Sequence, residues 1–131
     1  MYFGSSVTGC WTQVAKGKPQ QIQVREADHD AGLIVVMSRS HPSPELEDYL
    51  KDIKVAEAMP VGSSLKLCAV AEGLADLYPR LGPTMEWDTA AADAILRSLG
   101  YQIHEISYTH QPTVPLSYNK ENLYNPAFIA Y

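Results

Sequence analysis

The stretch LIVVM at residues 33–37 decides the fold, because a continuous apolar run is typical of a strand buried on both faces. A helix is predicted next, since Ser43 can cap it and Pro44 suits its first position. Its apolar residues recur with the spacing of one helical face, at Leu46, Tyr49, Leu50 and Ile53. A second buried strand is predicted over Val55–Met59, so this segment has the order strand, helix, strand.

The same alternation continues towards the C-terminus. A second helix is predicted to begin at residues 62–64. Its buried side is predicted to carry Leu65, Cys68 and Ala69. A short strand is predicted at Asp76–Tyr78, and a third helix then ends at Gly100. That helix carries its apolar residues on one face, at Trp87, Ala91, Ala94, Ile95 and Leu99. Strand Ile103–Ile106 and an edge strand at Phe128–Ala130 follow, and the alternation predicts an α/β layered domain with an at least partly parallel sheet.

The N-terminal residues do not share this alternation. They predict a hairpin of strands Met1–Ser5 and Gly9–Val14, and Ile22–Val24 can add a third strand. Such a hairpin is typical of an antiparallel sheet. We therefore divide the chain into residues 1–31, part of an antiparallel sheet, and residues 32–131, the α/β layered domain.

Composition excludes several classes of partner. The chain has 131 residues, enough for one ordinary core, and ten Lys and Arg against fifteen Asp and Glu give a net charge of −5. This balance argues against a nucleic-acid backbone as partner. The longest apolar run is far below the ~20 residues of a membrane span, and no basic stretch with an apolar core opens the chain. We expect a cytoplasmic protein, and the isolated Cys10 and Cys68 predict neither a disulfide framework nor a zinc site.

Residues 62–66, GSSLK, favour an anion site. Backbone N–H groups at a helix start, the helix dipole and the Lys66 ammonium would converge there on a phosphate. Ser63 can also simply cap the helix beside a solvated Lys66. Arg80, which follows a predicted strand, can add a second cation, or can pair with surface acids.

Two further candidates, Asp88 and His41, also lie at the ends of predicted elements. Asp88 falls in the first turn of an alanine-rich helix, where it can favour the dipole or hold a divalent cation such as Mg²⁺. His41 follows the strand at residues 33–37, at the end where ligands of open α/β sheets collect, but a loop histidine can equally be a solvated surface group. Together with Lys66 and Arg80, these groups suit a doubly phosphorylated ligand beside a metal ion.

Several stretches of the sequence resemble a known family. These are VGSSLK at residues 61–66, AEGLADLYPR at 71–80, GPTMEWDTAA at 82–91 and PLSYNKE at 115–121. They strongly resemble the C-terminal half of the inositol monophosphatase superfamily, and most closely the CysQ-type 3'(2'),5'-bisphosphate nucleotidases. The resemblance runs from the hairpin to the tail and therefore covers nearly the whole chain.

This resemblance implies Mg²⁺-dependent hydrolysis of a phosphate from 3'-phosphoadenosine 5'-phosphate. It implies that Asp88 is a catalytic metal ligand that also touches substrate. The nucleotide's sugar and phosphates would be bound by four further residues, His41, Ser63, Lys66 and Arg80. Inositol phosphatases typically carry an acid where Arg80 stands, so Arg80 favours a phosphorylated nucleotide over an inositol ring.

The sequence also departs from the family pattern. It contains no Asp-Pro-(Ile or Leu)-Asp-Gly-(Thr or Ser) segment and no upstream metal-binding Glu, which supply most Mg²⁺ ligands in the family. We expect the chain to be the C-terminal part of such an enzyme, with residues 1–31 a remnant of the N-terminal domain, and to be weakly active or inactive alone. An exposed sheet edge would favour a homodimer or pairing with the missing half. The alternatives are a non-catalytic nucleotide-binding or dimerisation module and an inositol monophosphatase-type sugar phosphatase.

Overall fold

A computed structural model describes residues 1–38, 43–63, 65–107, 109 and 111–131 of the chain. The helices and strands follow in chain order as β1 (Tyr2–Ser5), β2 (Gly9–Thr12), β3 (Gln20–Gln21), β4 (Leu33–Met37), α1 (Pro44–Leu50), β5 (Val55–Pro60), α2 (Leu65–Ala71), β6 (Tyr78–Arg80), β7 (Thr84–Met85), α3 (Glu86–Ser98), β8 (Ile103–Ile106), β9 (Pro112–Pro115), β10 (Tyr124–Asn125) and β11 (Phe128–Ala130). The α/β architecture predicted from the sequence is confirmed.

The apolar run at residues 33–37 forms β4 as predicted, with Val35 and Val36 fully buried. It pairs in parallel with β5, and α1 connects the two strands. The Ser43 side chain accepts a hydrogen bond from the Leu46 N–H, and Pro44 begins the helix, which confirms the predicted cap. The prediction that β5 is buried is wrong. This strand pairs only with β4 among the described residues, so its other edge and most of its length stay exposed.

A four-stranded antiparallel sheet has the order β6-β11-β8-β9. Phe128–Ala130 was predicted as an edge strand, which is wrong: β11 pairs with β6 on one side and β8 on the other, and its residues are buried. The predicted short strand begins later than expected, at Tyr78 rather than Asp76. Leu77 nevertheless forms a parallel bridge to Val35, which joins the β4–β5 pair to this sheet.

Helices α2 and α3 pack on each other, and the predicted buried face is largely confirmed for α2 but not for α3. In α2, Cys68 and Ala69 are buried as expected, whereas Leu65 is 54% exposed. In α3 the prediction of an apolar face through Trp87 is wrong, because Trp87 is 67% exposed. The buried face of α3 is largely polar, and consists of Glu86, Thr89, Ala92, Asp93 and Leu96.

The N-terminal hairpin forms as predicted from β1 and β2. The third strand is β3 at Gln20–Gln21 rather than Ile22–Val24, because only Ile22 continues the pairing, through a bond from its N–H to the Cys10 carbonyl at 2.8 Å. Cys10 is fully buried, and its Sγ lies 2.7 Å from the Ser98 Oγ at the end of α3. This small sheet therefore packs against α3. The division of the chain after residue 31 stays a prediction.

Three chain segments meet at one end of the four-stranded sheet: the last residue of β6, the first turn of α2 and the first turn of α3. Each begins or ends a regular element, so the side chains there are carried on fixed backbone. None of the described helices has the length and hydropathy that a bilayer-spanning segment requires.

Candidate functional site

A cavity of about 350 Å³ opens where β6, α2 and α3 meet. It is lined by four of the residues predicted to bind the ligand or the metal, Ser63, Lys66, Arg80 and Asp88. The fifth predicted residue, His41, lies outside the described residues. The cavity therefore brings together two cations and one carboxylate.

Lys66 lies in the first turn of α2 but is not the solvated lysine that the simpler interpretation required. It is 7% exposed, and its Nζ donates a hydrogen bond to the Ser63 carbonyl at 3.4 Å. Burial lowers the pKa of the Lys66 ammonium, and the positive charge of Arg80 lowers it further. Two cations that line one cavity favour the binding of an anion between them.

Arg80 ends β6 and turns its guanidinium into the same cavity. Its Nη2 donates to the Pro83 carbonyl at 3.3 Å. Its Nε is buried and has no hydrogen-bond acceptor among the described residues. A buried charged donor without an acceptor is unfavourable, and a phosphate oxygen would supply one.

Asp88 lies in the first turn of α3, as predicted, and its role as a metal ligand stays a prediction. Its Oδ2 accepts a hydrogen bond from the Met85 N–H at 2.9 Å, which fixes the carboxylate at the start of α3. The side chain is nevertheless exposed and lines the cavity. Within the described parts of the chain, no group of three His, Cys, Asp or Glu comes together to hold a metal ion. Asp88 would therefore need other ligands to retain Mg²⁺.

The C-terminal tail holds the first turn of α3 in place, a feature that the sequence analysis missed. The Glu86 carboxylate accepts hydrogen bonds from the Asn119 N–H at 2.7 Å, the Lys120 N–H at 3.1 Å and the Lys120 Nζ at 2.6 Å. The buried Asn125 donates to the Met85 carbonyl at 2.9 Å and to the Thr89 Oγ1 at 3.1 Å. These bonds connect residues more than 30 positions apart, so no local pattern signals them.

Replacing Glu86 with glutamine should make stability less dependent on acid pH. The hydrogen bond from Lys120 is the largest factor that lowers the Glu86 pKa below its ordinary value of 4.5, so the folded state favours the carboxylate. The stability that the ionised Glu86 contributes is fully present at pH 7. It is lost as the pH falls below about 4.5 and through the lower pKa of Glu86 in the folded state. Urea unfolding should show the E86Q variant less stable than the original chain at pH 7, with the difference shrinking towards pH 3.

The neighbouring Glu121 is exposed and supplies the matched control. Glu121→Gln should leave the unfolding free energy within about 0.5 kcal/mol of the original chain at pH 7. An E86Q difference of the same size at pH 3 and pH 7 would contradict the assignment of the acid sensitivity to this carboxylate.

A second, larger cavity of about 420 Å³ lies away from the predicted site residues. It is lined mainly by apolar side chains, and an ion pair of 2.6 Å between Arg25 and the buried Asp76 lies at its wall. Two exposed residues of the loop that precedes β4, Glu26 and His29, also line it. Size alone therefore does not identify the site, because the smaller cavity holds the described candidate residues and the buried Arg80 Nε, which has no acceptor in the described part of the chain.

Comparison with known proteins gives matches along most of the chain. Residues 1–126 match the model of the inositol monophosphatase family. The chain is 44% identical over 113 residues to the 3'(2'),5'-bisphosphate nucleotidase CysQ of Escherichia coli (strain K12), a match covering 86% of this chain and 43% of that protein. It is 42% identical over 93 residues to the protein of the same name from Buchnera aphidicola subsp. Acyrthosiphon pisum (strain APS), covering 71% and 34% respectively.

Solved structures also superpose on the chain. The structure of CysQ from Bacteroides thetaiotaomicron, a bacterial member of the inositol monophosphatase family, superposes with a TM-score of 0.77 at 39% identity, over 98% of this chain and 52% of that one. Mycobacterium tuberculosis SuhB superposes with a TM-score of 0.67 at 20% identity, over 98% and 47%, and supports the fold alone. The chain thus spans about half the length, or less, of the relatives that it matches.

Proposed function

The chain belongs to the inositol monophosphatase family, and from this premise we propose that it is the phosphate-binding part of a Mg²⁺-dependent 3'(2'),5'-bisphosphate nucleotidase. The similarity to CysQ proteins supports this choice within the family. The proposed substrate is 3'-phosphoadenosine 5'-phosphate, and the products are adenosine monophosphate and phosphate.

One observation carries the proposal: the buried Arg80 Nε has no acceptor among the described residues and lines the same cavity as Lys66. Lys66 and Arg80 repel each other when the cavity is empty of anions, and a phosphate group relieves that repulsion. A ligand with two phosphate groups would use both cations, which a simple sugar monophosphate would not require.

Each residue has a separate role in the proposed mechanism. Arg80 and Lys66 neutralise and orient the phosphate groups, which places the reacting phosphorus near the Asp88 carboxylate. Ser63 and His41 are proposed to contact the sugar and phosphate oxygens. When Mg²⁺ is bound, it supplies Lewis-acid polarisation of the phosphoryl group and a water of lowered pKa.

The fit of Mg²⁺ to this chain is partial. Asp88 offers carboxylate oxygens of the kind Mg²⁺ prefers, and Mg²⁺ commonly takes one or two carboxylates together with substrate phosphates. A single carboxylate without phosphate would not hold the ion against hydration. The chain alone is therefore proposed to bind the nucleotide and to turn it over weakly or not at all.

Calorimetric titration of the 131-residue chain tests this function. 3'-Phosphoadenosine 5'-phosphate should bind more tightly than adenosine monophosphate, and Mg²⁺ should tighten its binding several-fold. Asp88→Asn should remove the Mg²⁺ effect without weakening metal-free binding, because asparagine keeps an acceptor for the Met85 N–H and carries no negative charge to repel the phosphate. Equal affinity for the two nucleotides, or a Mg²⁺ effect that survives in D88N, would contradict the proposal.

The alternative is a nucleotide-binding module without catalysis, which the single carboxylate in the described cavity favours. Phosphate release distinguishes the two functions. With Mg²⁺ and a separately expressed N-terminal half of a CysQ protein, the enzyme part should release phosphate from the bisphosphate nucleotide, whereas a binding module should not. Release from inositol 1-phosphate in preference to the nucleotide would instead indicate a sugar phosphatase.

A further inference from the structure

Tyr78 lies at the wall of the candidate cavity, although nothing in its local sequence singles it out. It is the first residue of β6 and is 7% exposed. Its ring packs edge-to-face against Phe128 of β11, with 5.8 Å between ring centroids and an interplanar angle of 84°. The ring is therefore held by the sheet and has little freedom to move.

The Lys66 ammonium lies over this fixed ring. The Nζ is 5.7 Å from the centroid of Tyr78, within the distance of a cation–π interaction. The same Nζ donates to the Ser63 carbonyl at 3.4 Å, which is a long and weak hydrogen bond. Both contacts are long, and the ring is the one that a side-chain substitution can remove.

The charges of Arg80 and Asp88, which line the same cavity, act on the Tyr78 hydroxyl. Burial raises the pKa of Tyr78, and the charges of Arg80 and Asp88 act on it in opposite directions, Arg80 lowering it and Asp88 raising it. Tyr78 thus contacts Lys66 and lines the same cavity as Arg80 and Asp88.

We propose that Tyr78 is a positioning residue for substrate binding: its ring holds the Lys66 ammonium at the cavity before the phosphate arrives. This inference rests on the proposed function, because it assumes that Lys66 meets a phosphate group of the nucleotide. A lysine that is already ordered loses little conformational entropy on binding. A lysine without the ring must be ordered by the ligand, which should weaken binding on the order of fivefold.

Two substitutions separate the ring from the hydroxyl. Tyr78→Phe keeps the ring and should bind 3'-phosphoadenosine 5'-phosphate within about twofold of the original chain, whereas Tyr78→Leu should bind it on the order of fivefold more weakly. Tyr49→Leu is the matched control, since Tyr49 is also buried, 6% exposed, but lies in another core cluster. It should lower stability without changing affinity.

A double-mutant cycle distinguishes positioning from general damage to the fold. In a Lys66→Ala background, Tyr78→Leu should have no further effect on affinity, because the side chain that the ring positions has been removed. If Tyr78→Leu weakens binding equally in both backgrounds, the inference is wrong. If the original chain does not bind the bisphosphate nucleotide at all, the proposed function fails instead.

An NMR measurement on the unsubstituted chain covers the case in which Tyr78→Leu does not fold. The ε-methylene protons of Lys66 should be shifted upfield by the ring current of Tyr78, relative to those of the exposed Lys16 and Lys18. A Lys66 signal that coincides with those of the exposed lysines would overturn the inference.

Discussion

Replacing Phe128 with alanine is expected to lower the free energy of unfolding by about 3–5 kcal/mol, as for other buried Phe→Ala changes. Phe128 is 1% exposed and lies on β11, which pairs with strands on both sides. Truncating it would leave a cavity under the Tyr78 ring, and neighbouring strands cannot close that cavity without breaking their pairing. Urea unfolding followed by circular dichroism measures the loss.

The chain contains only two phenylalanines, and the other provides a matched control. Phe3 lies on β1 and is 38% exposed, so Phe3→Ala should change the unfolding free energy by about 1 kcal/mol or less. If β11 were the edge strand that the sequence predicted, Phe128 would be more exposed and the two losses would be similar. Similar losses would therefore contradict the central position of β11.

Elements with strong local signals were predicted well. The apolar run at residues 33–37 needs no partner to be identified as a buried strand, and Ser43-Pro44 marks a helix start by its own chemistry. Gly100 has a φ of +90°, the conformation that the predicted helix end required. The position of β11 within its sheet depends instead on which distant strands pair with it, and a run of three residues carries no such information.

The buried face of α3 shows a second limit of pattern reasoning. Trp87 and Leu99 define an apolar stripe at helical spacing, but the buried residues of α3 include the charged Glu86 and Asp93. Hydrogen bonds from the tail stabilise the buried Glu86 carboxylate, and an ion pair of 2.9 Å with Arg97 partly offsets the burial of Asp93. The tail residues that bond Glu86 were not predictable from the helix sequence, whereas Arg97 lies one turn after Asp93 in α3 and could have signalled that pair. Without the tail contacts, the apolar stripe was assigned to the wrong face.

For the candidate site, the sequence identified the residues but not their environment. The resemblance and the positions at element ends named Lys66, Arg80 and Asp88, and the structure has all three lining one cavity. Lys66 is buried, and the Arg80 Nε has no acceptor in the described part of the chain, because β6 packs against α2. Residue spacing does not predict this packing. The neighbouring Tyr78 was missed for the same reason.

Replacing Lys66 or Arg80 with alanine should each weaken binding of 3'-phosphoadenosine 5'-phosphate by about 10- to 100-fold. This range follows from about 1.5–3 kcal/mol for a hydrogen bond between charged groups. The double variant should lose less than the product of the two single losses. In the original chain the ligand also relieves the repulsion between these cations, and removing either one abolishes that relief. Isothermal titration calorimetry at fixed ionic strength measures all three variants.

Lys51→Ala is the control for net charge. Lys51 is exposed and does not line the cavity, so this substitution removes one positive charge without changing the proposed site. Its affinity should stay within about twofold of the original chain, since exposed charges are screened over roughly 10 Å at 0.1 M salt. A comparable loss in all the single variants would mean that the nucleotide is attracted by overall charge. Strictly multiplicative losses in the double variant would mean that the ligand relieves no repulsion between Lys66 and Arg80, and the two cations would then not act as one binding site for the phosphate groups of the nucleotide.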